Sequence, residues 1–352
     1  MKVGIRVGSV PPFDRMREFV VRARDAGAAS VWWPDHLMSF MSPQLWGPNE
    51  PRRTEVELNT YGDPFVCMAA VAAESGEMLL GTCVTDAVRR MPATLAQTAI
   101  TLDHLAPGRI VLGLGAGEAA NYRPYGWDAR APGARLREAA AEIRRLFDDP
   151  GPDERGGILG LRPARGSDGP QLWLAAHGPR GLEATARDAD GWLPTLLTPA
   201  EWMEGRRRIE HIARESGRDL SAIVMAFSVE VVLQDDHEEA HRLLRHPAVA
   251  LQCLYLGRDR YAAHGATHPL GGSAFESLVT TLNGERLADA ARRVPFRIAH
   301  EAIPHGTPDE VAEAIRAYEG LEHVRFSDLS ALGGGKRGGF ARILSLIQIL
   351  SQ

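Results

Sequence analysis

The chain has 352 residues, 40 of them basic and 45 acidic, for a net charge of −5, and 44% are hydrophobic. It is too apolar for a disordered chain, lacks the basic surplus of a dedicated nucleic-acid binder, and has no run of about 18 apolar residues that would span a membrane. Cys67, Cys83 and Cys253 are scattered with no C-x-x-C pair, and Lys2 and Lys336 are the only lysines. These counts remove a disulfide framework, a thiolate zinc knuckle and a P-loop, and leave little room for a Schiff-base lysine. The start, MKVGIRVGSV, lacks the features of a signal peptide, so a cytoplasmic location is expected.

Residues 3–7 read as a strand, followed by Phe13, Met16, Val20 and Ala23 at helical spacing up to Gly27. A second short strand at residues 30–33 ends on Pro34-Asp35-His36, and residues 37–62 read as a long loop rich in Pro, Gly, Trp and charge. Asp63-Pro64 opens a helix in the cap and first-turn positions. Strands are then expected at 78–84, 109–114, 172–176, 222–233 and 323–327, and helices at 92–105, 133–147, 199–216, 236–250 and 340–350. A further helix carries Pro179 in its first turn, and Thr307-Pro308-Asp309-Glu310 is a capping box. Residues 251–284 break the rhythm as an insertion. About eight strand–helix units point to a (β/α)₈ barrel over residues 1–352 as one domain, in preference to a doubly wound sheet.

Active-site residues of such a barrel lie at the carboxyl ends of its strands. Those ends carry Asp35-His36, Cys83-Val84-Thr85-Asp86, Gly115-Ala116-Gly117-Glu118, His177-Gly178 and Ser327-Asp328. Gly113, Gly115 and Gly117 are a weak dinucleotide signal, but glycine there lets backbone approach a flat ring system closely. Glu118 can serve as a general acid or as a helix cap. His177-Gly178-Pro179-Arg180 opens a helix with free N–H groups and a cation, which suits a phosphate. His36, with an ordinary pKa of about 6.5, can give or take a proton. Trp46 in the long loop, with Leu37, Met38, Phe40 and Met41, could wall an apolar substrate, and His264 and His268 could line the same pocket. The first strand has no His-x-His and no H-E-x-x-H zinc helix is expected, so a metal-dependent barrel hydrolase is disfavoured and no metal is expected.

Together these residues resemble the bacterial luciferase-like oxidoreductases, and within them the branch that uses the deazaflavin coenzyme F420. The residues that carry the resemblance are Trp33-Pro34-Asp35-His36, Gly81 to Asp86, Gly115 to Glu118 with Asn121, and Ala175 to Arg180. The segments Cys83 to Ala87 with Arg89-Arg90, and His264-Gly265 with His268-Pro269, bring the chain nearest the mycobacterial phthiodiolone ketoreductases. The resemblance implies a (β/α)₈ barrel with insertions, a homodimer, and a deazaflavin in the carboxyl-end cavity. It places Asp35 and His36 at the ring's reactive side and Cys83-Val84 behind it, at a bulge with a non-proline cis peptide. Asp86, Gly115, Gly117, Glu118 and Asn121 fall on the cofactor side, and His177, Gly178 and Arg180 at its phosphate. The implied chemistry is hydride transfer to a C=O or activated C=C in a lipid or natural product, with His36 as proton donor and Glu118 second to it. A sugar phosphate is disfavoured by the missing lysines. An FMN-dependent monooxygenase using O₂ and a catalytically inactive scaffold barrel are the two alternatives.

Overall fold

A computed structural model of the chain describes every residue except 40, 42, 46–58, 128–129, 150, 153, 155, 273, 275–283, 336–337 and 352. Among the described residues, eight parallel strands close on themselves. They are β1 (Lys2–Arg6), β2 (Ser30–Trp33), β3 (Leu79–Thr82), β5 (Ile110–Gly115), β6 (Gln171–Ala175), β7 (Gly191–Trp192), β8 (Val224–Leu233) and β10 (His323–Asp328). The ring closes because β10 pairs with both β1 and β8. Two short strands lie off it: β4 (Thr85–Asp86) pairs with β5, and β9 (His305–Gly306) with β8. The architecture is the expected (β/α)₈ barrel.

Complementary side-chain sizes fill the barrel's interior. Trp32 and Trp173 lie with ring centroids 5.3 Å apart among Val111, Leu193 and Ala226. They fit because their neighbours carry no side chain. A Cβ on Gly81 would sit 2.3 Å from the Trp32 ring, and one on Gly191 would sit 2.7 Å from Trp173. Below them Ser30 accepts a hydrogen bond from Trp32 Nε1 at 2.6 Å and pairs with His323 at 2.7 Å. Burial pushes His323 down to about 3, so the floor of the barrel carries no charge there. Outside, each helix turns one apolar stripe inward. Pro132–Asp148 buries Leu136, Ala139, Ala140, Ile143 and Leu146, the spacing of one helical face.

Two stretches differ from the sequence expectation. The helix expected over 236–250 is two helices, His237–Leu243 and Pro247–Ala250. Pro247 has no N–H to continue the first, and His246 caps the second by accepting from the Ala248 N–H at 3.2 Å. The insertion has a core of its own, where Leu251, Leu254 and Tyr255 pack with Ala274, Leu287 and Leu45 from the long loop. The loop's described end therefore rests on the insertion, and Arg292 donates to the Gln44 carbonyl at 2.9 Å. Among the described residues no helix is long and apolar enough to cross a membrane.

Candidate active site

Asp35 leaves the end of β2 and is 5% exposed. Its carboxylate accepts from the Thr85 hydroxyl at 2.6 Å and from Arg90 at 2.9 and 3.3 Å, and Arg89 stands 3.2 Å away. Burial by itself would raise this carboxyl, but Arg89, Arg90 and Thr85 outweigh it and hold it below its ordinary value. Asp86 completes the knot, accepting from the main-chain N–H groups of Val88 and Arg89 and from the Arg89 side chain. Arg90 continues outward to Asp63, the cap of helix Pro64–Val71. Asp35 thus stands ionised and fully engaged, anchoring the turn after β2 to the turn after β3.

Glu118 follows β5 after a turn in which Gly117 takes φ +88°, a conformation that favours glycine. One helical turn later, buried Asn121 joins three parts of the site. Its Oδ1 accepts from the Leu37 and Met38 N–H groups at 2.7 and 2.9 Å, which fixes the amide's orientation. Its Nδ2 consequently donates to His36 Nδ1 at 2.9 Å and to Glu118 at 3.3 Å. His36 Nδ1 is therefore the acceptor, and its ring proton sits on Nε2. Tyr61 flanks the imidazole with ring centroids 5.4 Å apart.

The two titrating groups are pushed in opposite directions. Burial first, then Arg6 and Arg89, lower His36 to about 4, against the pull of Asp35. Burial first, then Asp86, raise Glu118 to about 7, against Asn121 and Arg89. At neutral pH the histidine is a neutral imidazole and the carboxyl is poised near half-protonation. A pair separated this way is the usual mark of divided acid and hydrogen-bonding roles.

Behind this pair the Cys83–Val84 peptide is cis. Gly113 and Gly115 serve that turn: a Cβ on Gly113 would meet the Thr82 carbonyl oxygen at 1.9 Å, and one on Gly115 the Val84 side chain at 2.8 Å. Cys83 reaches the Ser228 hydroxyl at 3.6 Å. Arg325, rising inside the barrel from β10, donates to Ser228 at 3.1 Å and Glu230 at 3.2 Å. Its Nε is buried with no hydrogen-bond partner among the described residues.

His177, Gly178 and Arg180 are exposed at the start of helix Pro179–Asp188, whose N-terminus has no side-chain cap. Of the residues expected at the substrate, Trp46 lies outside the described residues, as does Phe40. His264 is ion-paired with Glu301, which also holds Arg260 at 3.1 Å. His268 is 4% exposed, with one ring nitrogen on the Leu254 carbonyl and the other accepting from Leu270 N–H, and its ring lies against Tyr261. Its place is inside the insertion's core.

Sequence reasoning missed Arg89 and Arg90 as the partners of Asp35. It also missed Arg325 and Tyr255, whose phenol is raised by burial and by Glu118 and Tyr61. Within the apolar run Leu254-Tyr255-Leu256 nothing marks this tyrosine as more than core.

The luciferase-like monooxygenase family matches residues 2–322. The chain belongs to that family. It is 31% identical over 349 residues to the phthiodiolone/phenolphthiodiolone dimycocerosates ketoreductase of Mycobacterium bovis (strain BCG), with 91% of each chain covered. An F420-dependent glucose-6-phosphate dehydrogenase of Kineococcus radiotolerans is 29% identical over 335 residues, covering 89% of this chain and 86% of the relative. Among solved structures, an F420-dependent secondary alcohol dehydrogenase in complex with an F420–acetone adduct superposes with a TM-score of 0.73 at 20% identity, covering 99% of this chain and 98% of the other. The family and these relatives make the chain an oxidoreductase of the luciferase-like class.

Proposed function

We propose that the chain is a coenzyme F420-dependent reductase of a ketone or activated alkene, with Glu118 as the proton source and His36 as a hydrogen-bond donor. The observation that carries the reading is the Glu118–Asn121–His36 arrangement, one carboxyl raised to about 7 and one neutral imidazole, held by a single amide.

The residues present suit a deazaflavin. The unpartnered Nε of Arg325, beside Ser228 and Cys83, offers a buried donor for a ring carbonyl. The uncapped helix start at Gly178, with Arg180 exposed beside it, offers N–H groups and a cation for a phosphate. When bound in reduced form, the deazaflavin supplies a hydride. Glu118 in its acid form then provides a proton to the oxygen or carbon that gains negative charge, an effect typically worth about 10²- to 10⁴-fold. His36 donates through Nε2 and, being neutral, supplies no ready proton of its own. Asp35 remains ionised and holds the loop that positions His36.

The substrate class follows from the charges available. Lys2 lies at the amino end of β1, away from the barrel mouth, and Lys336 lies outside the described residues, so a phosphate-bearing substrate finds no described lysine there. An uncharged carbonyl or enone unit fits better, and the names of the ketoreductase and alcohol dehydrogenase relatives support the same chemistry.

The test is turnover of a panel of ketones and enones with reduced F420, compared between the parent, Glu118→Gln and His36→Ala. Glu118→Gln lowers turnover at least about 10²-fold and leaves F420 affinity within about twofold. Unchanged turnover in Glu118→Gln removes the carboxyl from the mechanism.

A further inference from the structure

The expectation that the chain has no H-E-x-x-H run, and with it no metal, is wrong at the helix after β8. This helix opens with His237-Glu238-Glu239-Ala240-His241, an H-E-x-x-H run that puts two imidazoles one turn apart on one face. β9 brings a third, His305, against them. Ring centroids are 5.7 Å apart for His237 and His241, 5.8 Å for His237 and His305, and 5.7 Å for His241 and His305. Each of the three offers one ring nitrogen within 4.8 Å of the others.

The geometry points to a Zn²⁺ site formed by His237, His241 and His305, with a solvent oxygen completing the tetrahedron, apart from the candidate active site. Imidazole nitrogens are among the donors Zn²⁺ favours. Tetrahedral Zn–N bonds of about 2.0–2.1 Å put ligand nitrogens about 3.3 Å apart, so closing from 4.8 Å takes only small side-chain rotations.

The surrounding contacts prepare the ligands. His305 Nδ1 lies 2.9 Å from the Ile303 carbonyl oxygen, which can only accept, so Nδ1 carries the proton and Nε2 the lone pair. His237 Nδ1 lies 3.1 Å from Glu310 Oε1, which likewise leaves Nε2 as the ligand atom. Such outer partners orient metal-bound histidines and fix their tautomers. Glu310 is itself fixed, its other oxygen accepting from the Thr307 N–H at 2.8 Å in the capping box of helix Pro308–Arg316. The His241 Nδ1 is buried with no hydrogen-bond partner among the described residues, so this imidazole keeps an unsatisfied polar atom in the cluster. His300 closes the side, 4.8 Å from His305 and 5.5 Å from His241 between centroids. A bound ion would tie the start of the segment leaving β8 to its return at β9.

The full chain, freed of metal by chelation, is titrated with Zn²⁺ against a chromophoric competitor, and its thermal unfolding is followed with and without Zn²⁺. One Zn²⁺ binds per chain with micromolar or tighter affinity and raises the midpoint. His305→Ala and His237→Asn each weaken binding at least about 100-fold and abolish the rise, and Glu310→Gln weakens it about 10- to 100-fold. If His305→Ala does not fold, His237→Asn, at an exposed position, decides the matter alone. Clearly substoichiometric binding, or parental affinity in His237→Asn, overturns the site.

Discussion

Replacing Asn121 by alanine deletes four hydrogen bonds at once: two accepted from the Leu37 and Met38 N–H groups at 2.7 and 2.9 Å, and two donated to His36 and Glu118 at 2.9 and 3.3 Å. A neutral hydrogen bond contributes about 0.5–1.5 kcal/mol net, and a buried donor left unmade costs about 1–3 kcal/mol. Leu37 is 38% exposed, so water reaches this loop and the lower end of both ranges applies. The expected loss is about 3 kcal/mol of unfolding free energy, read as a lower urea midpoint at unchanged slope. Turnover falls as well, at least about tenfold at temperatures where the variant stays folded, because His36 and Glu118 lose the amide that orients both. Asn121→Asp separates the two effects. Its carboxylate still accepts from both main-chain N–H groups, so stability recovers in part, but it cannot donate and sets a second negative charge beside Glu118. The falling limb of the pH–activity profile then moves upward. An Asn121→Ala protein within about 0.5 kcal/mol of the parent and with full turnover would refute the clamp.

Other outcomes follow from the same contacts. With Glu118 raised to about 7, activity that needs its acid form is present below that pH and lost as pH rises through it, and Glu118→Gln flattens the limb. The same group holds its proton more tightly folded than unfolded. Its share of stability is therefore complete below about 4.5 and lost as pH rises through about 7, and chemical denaturation of Glu118→Gln shows a correspondingly weaker pH dependence. Asp35→Asn leaves Arg89 and Arg90 facing a neutral amide and costs about 3 kcal/mol in the same assay, whereas a change below about 1 kcal/mol would show the knot to be dispensable. Gly113→Ala puts a methyl 1.9 Å from the Thr82 carbonyl oxygen, main chain that cannot step aside, and its soluble yield or thermal midpoint should drop sharply.

The barrel was legible because its strands are short apolar runs that stop on polar residues and its helices keep one apolar stripe. The run at residues 30–33 and the helix near 132–148 needed nothing more than that periodicity. The two-residue strands β4, β7 and β9 were not legible, since pairs such as Thr85–Asp86 and His305–Gly306 carry no period and form only by lying beside a longer neighbour. The same division holds in the site. His36 and Glu118 stand just past strand ends, where the barrel exposes chemistry, and Asn121 lies in the short helix that follows Glu118. What sets their protonation is burial first and then the approach of Arg6, Arg89 and Asp86 from other strand ends, none of which spacing along the chain encodes. His268 shows the converse: a His-Pro pair in a polar-looking segment reads as a pocket wall until backbone carbonyls and amides are seen to take both nitrogens. His237, His241 and His305 combine a readable local run with a third member 64 residues away, which only the pairing of β9 with β8 supplies.

The cofactor decides the rest of the chemistry, and it is open to direct measurement. Purified protein is titrated with F420 and, in parallel, with FMN, following quenching of its tryptophan fluorescence. F420 binding at micromolar or lower concentration, with FMN at least about 100-fold weaker, is the expected result. Preference for FMN contradicts the reductase assignment and turns the chain toward oxygen chemistry, and binding of neither contradicts catalysis by this barrel altogether.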